Sequence, residues 1–211
     1  MRIGFIGAGN VARTIARHML ANNHQVLLSN SRGPETLTEV ISELGEGAFA
    51  GTREEVLGTD LVILAVRWGD AEAAVEGLSW DGQFLIDATN AHMGTDISLE
   101  GVTKSRAELA KAGRTSSEIL RDLVPGARLV KTISNMPMEW ISDFSKDKPR
   151  TVLFVSGDDA EAKCFVIALL NDAGFAAIDL GSLATGGAMH EVGAPLSGVE
   201  LHFVRRMREP E

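Results

Sequence analysis

The feature that most constrains this chain is the step from the apolar run RIGFI into the glycine loop GAGNVA. Gly7, Gly9 and Ala12 match the G-x-G-x-x-A pattern of a strand-to-helix turn. In that pattern the first glycine permits a tight turn, the second lets a diphosphate approach the backbone amides, and the alanine permits close helix–strand packing. A helix that starts here directs its unsatisfied N–H groups toward the phosphates. We therefore expect a dinucleotide-binding unit.

Residues of this loop and of nearby strand ends form the expected nucleotide-binding set. An open α/β sheet binds its ligands at the carboxyl ends of its strands, and the apolar runs DLVILAV and QFLIDA end close to the later members of the set. Trp68 is equally compatible with a core residue at a helix start. The set comprises Gly7, Ala8, Gly9, Asn10, Val11, Ser31, Arg32, Val66, Arg67, Trp68, Ala88, Thr89 and Asn90.

The stretch SNSRGP indicates which dinucleotide is bound. NAD sites place a carboxylate at the end of the second strand, where this chain has Ser31 and Arg32. A hydroxyl and a guanidinium can bind a 2′-phosphate, which a carboxylate would repel. Pro34 suits the first turn of a helix whose N-terminus would face the same phosphate. The sequence therefore favours NADP(H) over NAD(H).

Short apolar runs alternate with amphipathic stretches along the whole chain, which predicts an α/β fold. The expected architecture is a Rossmann-type, doubly wound and mostly parallel sheet with a compact C-terminal extension. The charged stretch SKDKPR interrupts the pattern, so we expect an NADP(H)-binding domain over 1–148 and a small extension of the same sheet over 149–211. The predicted strands are RIGFI, QVLLSN, GAFAG, DLVILAV, QFLIDA, RLVKTI, TVLFVSG and AAIDLG.

Composition narrows the functional class. With 29 acidic and 20 basic residues the formal charge is −9, which argues against nucleic-acid and anionic-membrane binding. The single cysteine, Cys164, rules out an internal disulfide and a cysteine-rich metal site, and its apolar surroundings predict a buried side chain. We expect no metal site, no signal peptide and no membrane span, hence a cytoplasmic protein.

No convincing catalytic set emerges, so no catalytic residue is assigned. His92 and His190 are the histidines in reach of the strand ends, and the chain contains no tyrosine. Reduction of a carbonyl usually needs a proton donor, whereas hydride transfer to a flavin-like ring needs mainly two well-placed rings. The small-residue stretch 181–198 either lines a slot for a planar ligand or is a surface loop.

The chain resembles the NADPH-dependent oxidoreductases of the deazaflavin coenzyme F420. The motifs that carry the resemblance are GAGNVA, Ser31-Arg32, Trp68, Thr132-Ile133, SGDDAEAK and DLGSLA. The resemblance implies a homodimer in which Ser31 and Arg32 contact the 2′-phosphate and hydride passes directly to a deazaflavin or flavin. The expected second-substrate residues are Thr132, Ile133, Met136 and His190.

Other functions remain open at this point. The cytosolic domain of the six-transmembrane ferric reductases is similar and pairs NADPH with a flavin, so the acceptor is a deazaflavin, a flavin or another small molecule. A small imine or carbonyl reductase is an alternative, although the sequence does not predict the large all-helical C-terminal domain of those enzymes. An NADP(H)-binding redox sensor without turnover is a further alternative, because fold alone does not fix function.

Overall fold

A computed structural model describes residues 1–91, 107, 109, 111–134, 136–142 and 149–204 of the chain. The eight predicted strands all form. They are β1 (Arg2–Ile6), β2 (Gln25–Ser29), β3 (Ala48–Ala50), β4 (Leu61–Leu64), β5 (Phe84–Asp87), β6 (Arg128–Lys131), β7 (Val152–Gly157) and β8 (Ala176–Asp179).

Helices connect most of these strands, and several were not predicted from the sequence. The α-helices are α1 (Asn10–Ala21), α2 (Thr38–Leu44), α3 (Arg53–Val56), α4 (Ala71–Val75), α5 (Ser116–Leu123) and α6 (Ala160–Asp172). Short 3₁₀ segments cover Pro34–Leu37, Trp68–Asp70 and Met138–Ile141, and a π-helical segment, Leu183–Gly187, continues into the helical turn Ala188–His190.

The strands form one sheet in the order β3-β2-β1-β4-β5-β6-β7-β8. Neighbouring strands are parallel from β3 to β6, so their carboxyl ends share one edge, hereafter the C-terminal edge. The strand order reverses beside β1, between β2 and β4. This is the Rossmann-type arrangement predicted from the sequence, and the crevice at that reversal is where such sheets bind ligands.

The strand β7 departs from the parallel pattern. It runs opposite to β6 and pairs with it only through Lys131 with Ser156 and Val130 with Gly157. Residues that precede Ser156 therefore extend beyond the end of β6, and β8 follows them in parallel with β7. We call this projection of β7 and β8 past the C-terminal edge the overhang.

Both faces of the sheet are buried, which explains why its parallel strands are continuous apolar runs. On β4, Leu61 and Ile63 join the core that includes α1 and α6, while Val62 and Leu64 join the core that includes α4 and α5. None of the helices in the described ranges combines the length and apolar character that a membrane span requires.

Candidate functional site

The turn between β1 and α1 is fixed by backbone contacts that only glycine allows at position 7. Gly7 has φ of 116°, and a Cβ atom there would lie 2.3 Å from the carbonyl oxygen of Ala65 at the end of β4. Its N–H donates to the carbonyl oxygen of Ser29 at 3.0 Å. The turn is thus locked between the ends of β2 and β4.

The N-terminus of α1 opens into free space. Gly9 is its N-cap residue, no side chain caps the helix, and its first turn carries no acidic residue. A Cβ atom on Gly9 would meet nothing within 4 Å, so its absence leaves room beside unsatisfied N–H groups. A diphosphate fits such a cradle, because it accepts hydrogen bonds and is attracted to the positive end of the helix.

The turn lies at the base of a cleft of about 750 Å³. Six residues of the predicted nucleotide set line it. These are Gly7, Ala8, Gly9, Ser31, Val66 and Arg67. The structure therefore brings the glycine loop together with the ends of β2 and β4, which are distant in sequence.

The remaining members of the predicted set lie beside the cleft or further along the sheet edge. Asn10 and Val11 begin α1, and Arg32 lies between two lining residues, Ser31 and Gly33. Trp68 starts the segment Trp68–Asp70 and packs partly buried against the core on the α4 side. Ala88, Thr89 and Asn90 follow β5 at the same edge of the sheet.

Asn30 organises the loop after β2. Its Oδ1 accepts a hydrogen bond from the backbone N–H of Arg32 at 2.9 Å, and its Nδ2 donates to Oγ1 of Thr36 at 2.9 Å. Arg32 is exposed, and its guanidinium has no hydrogen-bond or ion-pair partner among the described residues. The exposed carboxylate of Glu35 lies beside Gly33, with Oε1 2.4 Å from where a Cβ of that glycine would be.

A further part of the cleft wall was missed by sequence reasoning. It includes Thr52, Arg53 and Glu54 from the start of α3. The guanidinium of Arg53 donates to the carbonyl oxygens of Ala73 at 2.8 Å and Ala74 at 3.0 Å, which orients it across the cleft wall. The signal was available, because Thr52 and Glu55 form a capping box and so mark a helix start after the third strand.

A buried polar cluster lies where β5, β6 and α5 meet. We call Asp87, Thr89, Ser117 and Lys131 the Asp87 cluster; all four are essentially inaccessible to solvent. Asp87 accepts hydrogen bonds from the backbone N–H and the hydroxyl of Thr89, at 2.9 and 2.6 Å, and from the hydroxyl of Ser117 at 2.5 Å. Lys131 Nζ lies 3.7 Å from Asp87 Oδ2 and donates to the carbonyl oxygen of Thr89 at 3.3 Å.

The segment after β6 is strained. Ile133 has φ of 61°, a conformation that β-branched residues rarely adopt, and it is buried. Asn90 Nδ2 donates to the carbonyl oxygen of Ser134 at 2.6 Å and ties this segment to the loop after β5. Asn90 Oδ1 and the hydroxyls of Thr132 and Ser134 are buried without a partner among the described residues. Met136, the next predicted second-substrate residue, is also buried.

His190 lies beneath the surface rather than on the wall of the cleft. Its ring is fully buried, and its Nε2 is 2.9 Å from the Ser156 hydroxyl on β7. Burial, and to a lesser extent the positive charge of Lys131, lowers the pKa of His190 to about 3. The imidazole is therefore neutral at pH 7. His92, the other predicted histidine, lies outside the described residues.

The prediction for Cys164 was wrong. The side chain is exposed, because position 164 lies on the outward face of α6 although its neighbours in sequence are apolar. The residues of the 181–198 stretch are largely helical at its start and pack inward at Leu183 and His190. Within the described ranges, no group of His, Cys, Asp and Glu side chains is arranged to hold a metal ion.

Comparison with known proteins places this geometry in context. Residues 2–91 match the family described as NADP oxidoreductase coenzyme F420-dependent. The structure of a hypothetical protein, SMa0349, from Sinorhizobium meliloti is similar, with a TM-score of 0.80 and 31% identity over 96% of this chain and 95% of that one. A proposed F420-dependent NADP reductase from Arthrobacter sp. FB24 is similar with a TM-score of 0.66 and 26% identity, over 86% and 85% of the two chains.

The match to one curated relative covers only part of that relative's length. Metalloreductase STEAP3 of Rattus norvegicus is 24% identical over 186 residues, which is 87% of this chain. The chain spans 34% of the length of that relative. The similarity therefore concerns one portion of the longer protein.

Proposed function

This chain belongs to the family of F420-dependent NADP oxidoreductases, and we propose that it transfers a hydride between NADP(H) and a deazaflavin (F420) or flavin acceptor. The observation that carries the proposal is the uncapped start of α1 at Gly9, which opens into the cleft beside Ser31 and Arg67. The loops at the phosphate end of the site and the loops after β4, β5 and β6 would then have different roles in binding.

We propose that the glycine loop and the β2 loop bind the phosphates. The free N–H groups at Gly9 and at Asn10 and Val11 of α1 would receive the diphosphate, and Ser31 and Arg32 would receive the 2′-phosphate. The support is the uncapped helix start and the unpaired guanidinium. Arg53 would close the adenosine end, since its guanidinium is already held in place by two carbonyl oxygens.

The loops at the ends of β4, β5 and β6 would form the reactive end of the site. When bound, NADPH supplies a hydride from its nicotinamide ring. The chain would contribute positioning: Val66 to Trp68 and Ala88 to Asn90 beside the nucleotide, and, beside the acceptor, the backbone of the segment that carries Thr132, Ile133 and Met136, whose side chains are buried. The overhang of β7 and β8 stands next to these loops and would shield the acceptor from water.

The proposal assigns no catalytic acid or base. His190 was a candidate from the sequence, but it is buried and its low pKa keeps the ring neutral. Its contact with Ser156 instead joins the helical turn Ala188–His190 to β7 beside the acceptor loops. Direct hydride transfer makes this arrangement sufficient, because orientation rather than proton transfer then limits the reaction.

Acceptor-dependent oxidation of NADPH tests the proposed function. Purified protein is mixed with NADPH alone and with oxidised deazaflavin, FMN or FAD, while NADPH binding is measured separately by its fluorescence. We expect NADPH to bind in every mixture and to be consumed only when an acceptor is present. Tight binding without consumption under any condition would contradict the enzyme and indicate a redox sensor.

We further propose the organisation of the whole molecule. Residues 1–148 would form the NADP(H)-binding domain and 149–211 a small extension, which is supported by the continuation of the sheet through β7 and β8. The protein would be cytoplasmic and homodimeric, as the family resemblance implies. Sedimentation at twice the chain mass of 22.5 kDa is the expected result, and sedimentation as a single chain would contradict it.

A further inference from the structure

We propose that the buried pair of Asp87 and Lys131 is a positioning unit that holds the loops after β5 and β6 in register for hydride transfer. The inference rests on the proposed function, because it assumes that these two loops face the reacting rings. It assigns neither residue a chemical role, since both side chains are fully buried and lie beneath the loops that they hold.

The position of the pair indicates a role beyond packing. Burying a carboxylate and an ammonium group is costly, and apolar residues of similar volume often serve a core equally well. Here the pair occupies the last residues of β5 and β6, directly before the two loops, rather than the middle of the sheet. An interaction at this position fixes where the backbone leaves the sheet at the end of β5 and at the end of β6.

The Asp87 cluster joins β5, β6, α5 and the loop after β5. Both oxygens of Asp87 are used: Oδ1 accepts from Thr89 in the loop, and Oδ2 accepts from Ser117 on α5 and faces Lys131 on β6. Lys131 then donates back to the carbonyl oxygen of Thr89. The loop after β5 is thus held through three groups of Thr89: its backbone N–H, its hydroxyl and its carbonyl oxygen.

The segment directly after the pair is strained. Directly after Lys131, Ile133 is held at positive φ, and Thr132 and Ser134 have buried hydroxyls with no partner among the described residues. Such features persist only where the surroundings impose them, and they concentrate at functional sites. The hydrogen bond from Asn90 to the Ser134 carbonyl oxygen carries the constraint from one loop to the other.

The alternative is that the cluster merely stabilises the fold. The two roles differ in what a substitution changes once the protein is folded. Loss of stability lowers the fraction of folded protein, whereas loss of register loosens the two loops and slows the reaction in protein that is folded. A matched variant elsewhere on β6 separates these effects.

The test uses Lys131→Met, with Val130→Ala as the matched control because Val130 is a fully buried neighbour on β6 outside the cluster. Amide hydrogen exchange over residues 88–90 and 132–134 is measured without ligand, and kcat, KM and NADPH affinity are measured with the acceptor. We expect at least about 10-fold faster exchange and about 10- to 100-fold lower kcat in Lys131→Met, with NADPH affinity lowered by a smaller factor than kcat because the phosphate-binding residues lie elsewhere, in the cleft at the glycine loop.

Two further variants guard against misfolding. Asp87→Asn combined with Lys131→Met leaves no unpaired charge, and Ser117→Ala removes a single hydrogen bond to Asp87. We expect both to loosen the same loops, Ser117→Ala more weakly. Exchange and kcat that change no more than in Val130→Ala would overturn the inference. Wild-type protein that oxidises no NADPH would overturn the proposed function instead, while the exchange measurement would still decide whether the cluster holds the loops.

Discussion

A guanidinium and a carboxylate share the loop that follows β2. Asn30 fixes the backbone of that loop through Arg32 and Thr36, so the two charged side chains are presented from a defined turn. Arg32 would attract a 2′-phosphate, while Glu35, beside Gly33, would oppose it. We therefore expect the preference for NADPH over NADH to depend on the balance of these two charges.

Opposite substitutions should shift that balance in opposite directions. We expect Arg32→Ala to weaken NADPH binding by about 10- to 100-fold and NADH binding very little, because a charge-assisted hydrogen bond is lost only with the former. We expect Glu35→Gln to tighten NADPH binding by about 2- to 5-fold, as suits an exposed charge. Fluorescence titration with both nucleotides measures these changes.

Arg17→Ala is the control for the loss of one positive charge, because Arg17 pairs with Glu43 and does not line the cleft. It should leave both affinities unchanged. Equal losses of NADPH and NADH affinity in Arg32→Ala would show that Arg32 does not read the 2′-phosphate.

At the scale of single elements, the β1–α1 turn separates folding from binding. Gly7 is needed by the fold, because its backbone conformation and its contact with Ala65 exclude a side chain. Gly9 has an ordinary φ of −80° and open space where a Cβ would lie. Two glycines of one motif thus have different physical reasons to be there.

Alanine at each position should reveal the difference. We expect Gly7→Ala to lower the free energy of unfolding by at least about 2 kcal/mol, because it adds backbone strain and a clash. We expect Gly9→Ala to change stability by less than about 1 kcal/mol but to lower NADPH affinity at least about 10-fold, since its methyl group fills the cradle. Urea denaturation and NADPH titration measure the two effects. Normal NADPH affinity in Gly9→Ala would exclude the diphosphate from this turn.

The sequence indicated the strands well because buried parallel strands are continuous apolar runs such as LVIL in β4. It missed α3, which has only 4 residues and is marked by its capping box rather than by periodicity. It also missed the reversal of β7, because strand direction depends on pairing with Lys131 and Val130 and leaves no local pattern.

The candidate site was predicted in part for the same reasons. The glycine loop and the β2 loop carry local motifs, so Gly9 and Ser31 could be identified directly. Arg53 reaches the cleft only because β3 pairs with β2, and the Asp87 cluster exists only because β5, β6 and α5 converge. Cys164 was misjudged because the apolar run around it faces the core on one side only.

At the scale of the whole molecule, buried histidines make stability depend on pH. His190 has its pKa lowered to about 3, mainly by burial, and burial also lowers the pKa of His18 in α1. Between that low value and the ordinary histidine value of about 6.5, the unfolded chain binds protons that the folded chain does not. The contribution of these groups to the free energy of unfolding is therefore fully present above about pH 6.5 and is lost as the pH falls.

We expect the free energy of unfolding to fall as the pH drops below about 6.5, with His190 contributing at most about 1.4 kcal/mol per pH unit down to about pH 3. His190→Gln replaces the imidazole with an amide that can still form a hydrogen bond but does not titrate. The free energy of unfolding of this variant should therefore fall less steeply with pH than that of the wild type, by up to about 1.4 kcal/mol per pH unit. Urea denaturation across this pH range measures both proteins. Parallel curves for wild type and variant would contradict the assignment to His190.

Direct hydride transfer across the C-terminal edge of the sheet can be followed with an isotope. Its most direct measurement uses NADPH carrying deuterium at either face of the nicotinamide C4, with oxidised deazaflavin as acceptor and mass spectrometry of the reduced product. We expect deuterium from one face only to appear on carbon in the reduced deazaflavin. Reduced deazaflavin without deuterium from either face, or no reduction of any acceptor by protein that binds NADPH, would contradict it.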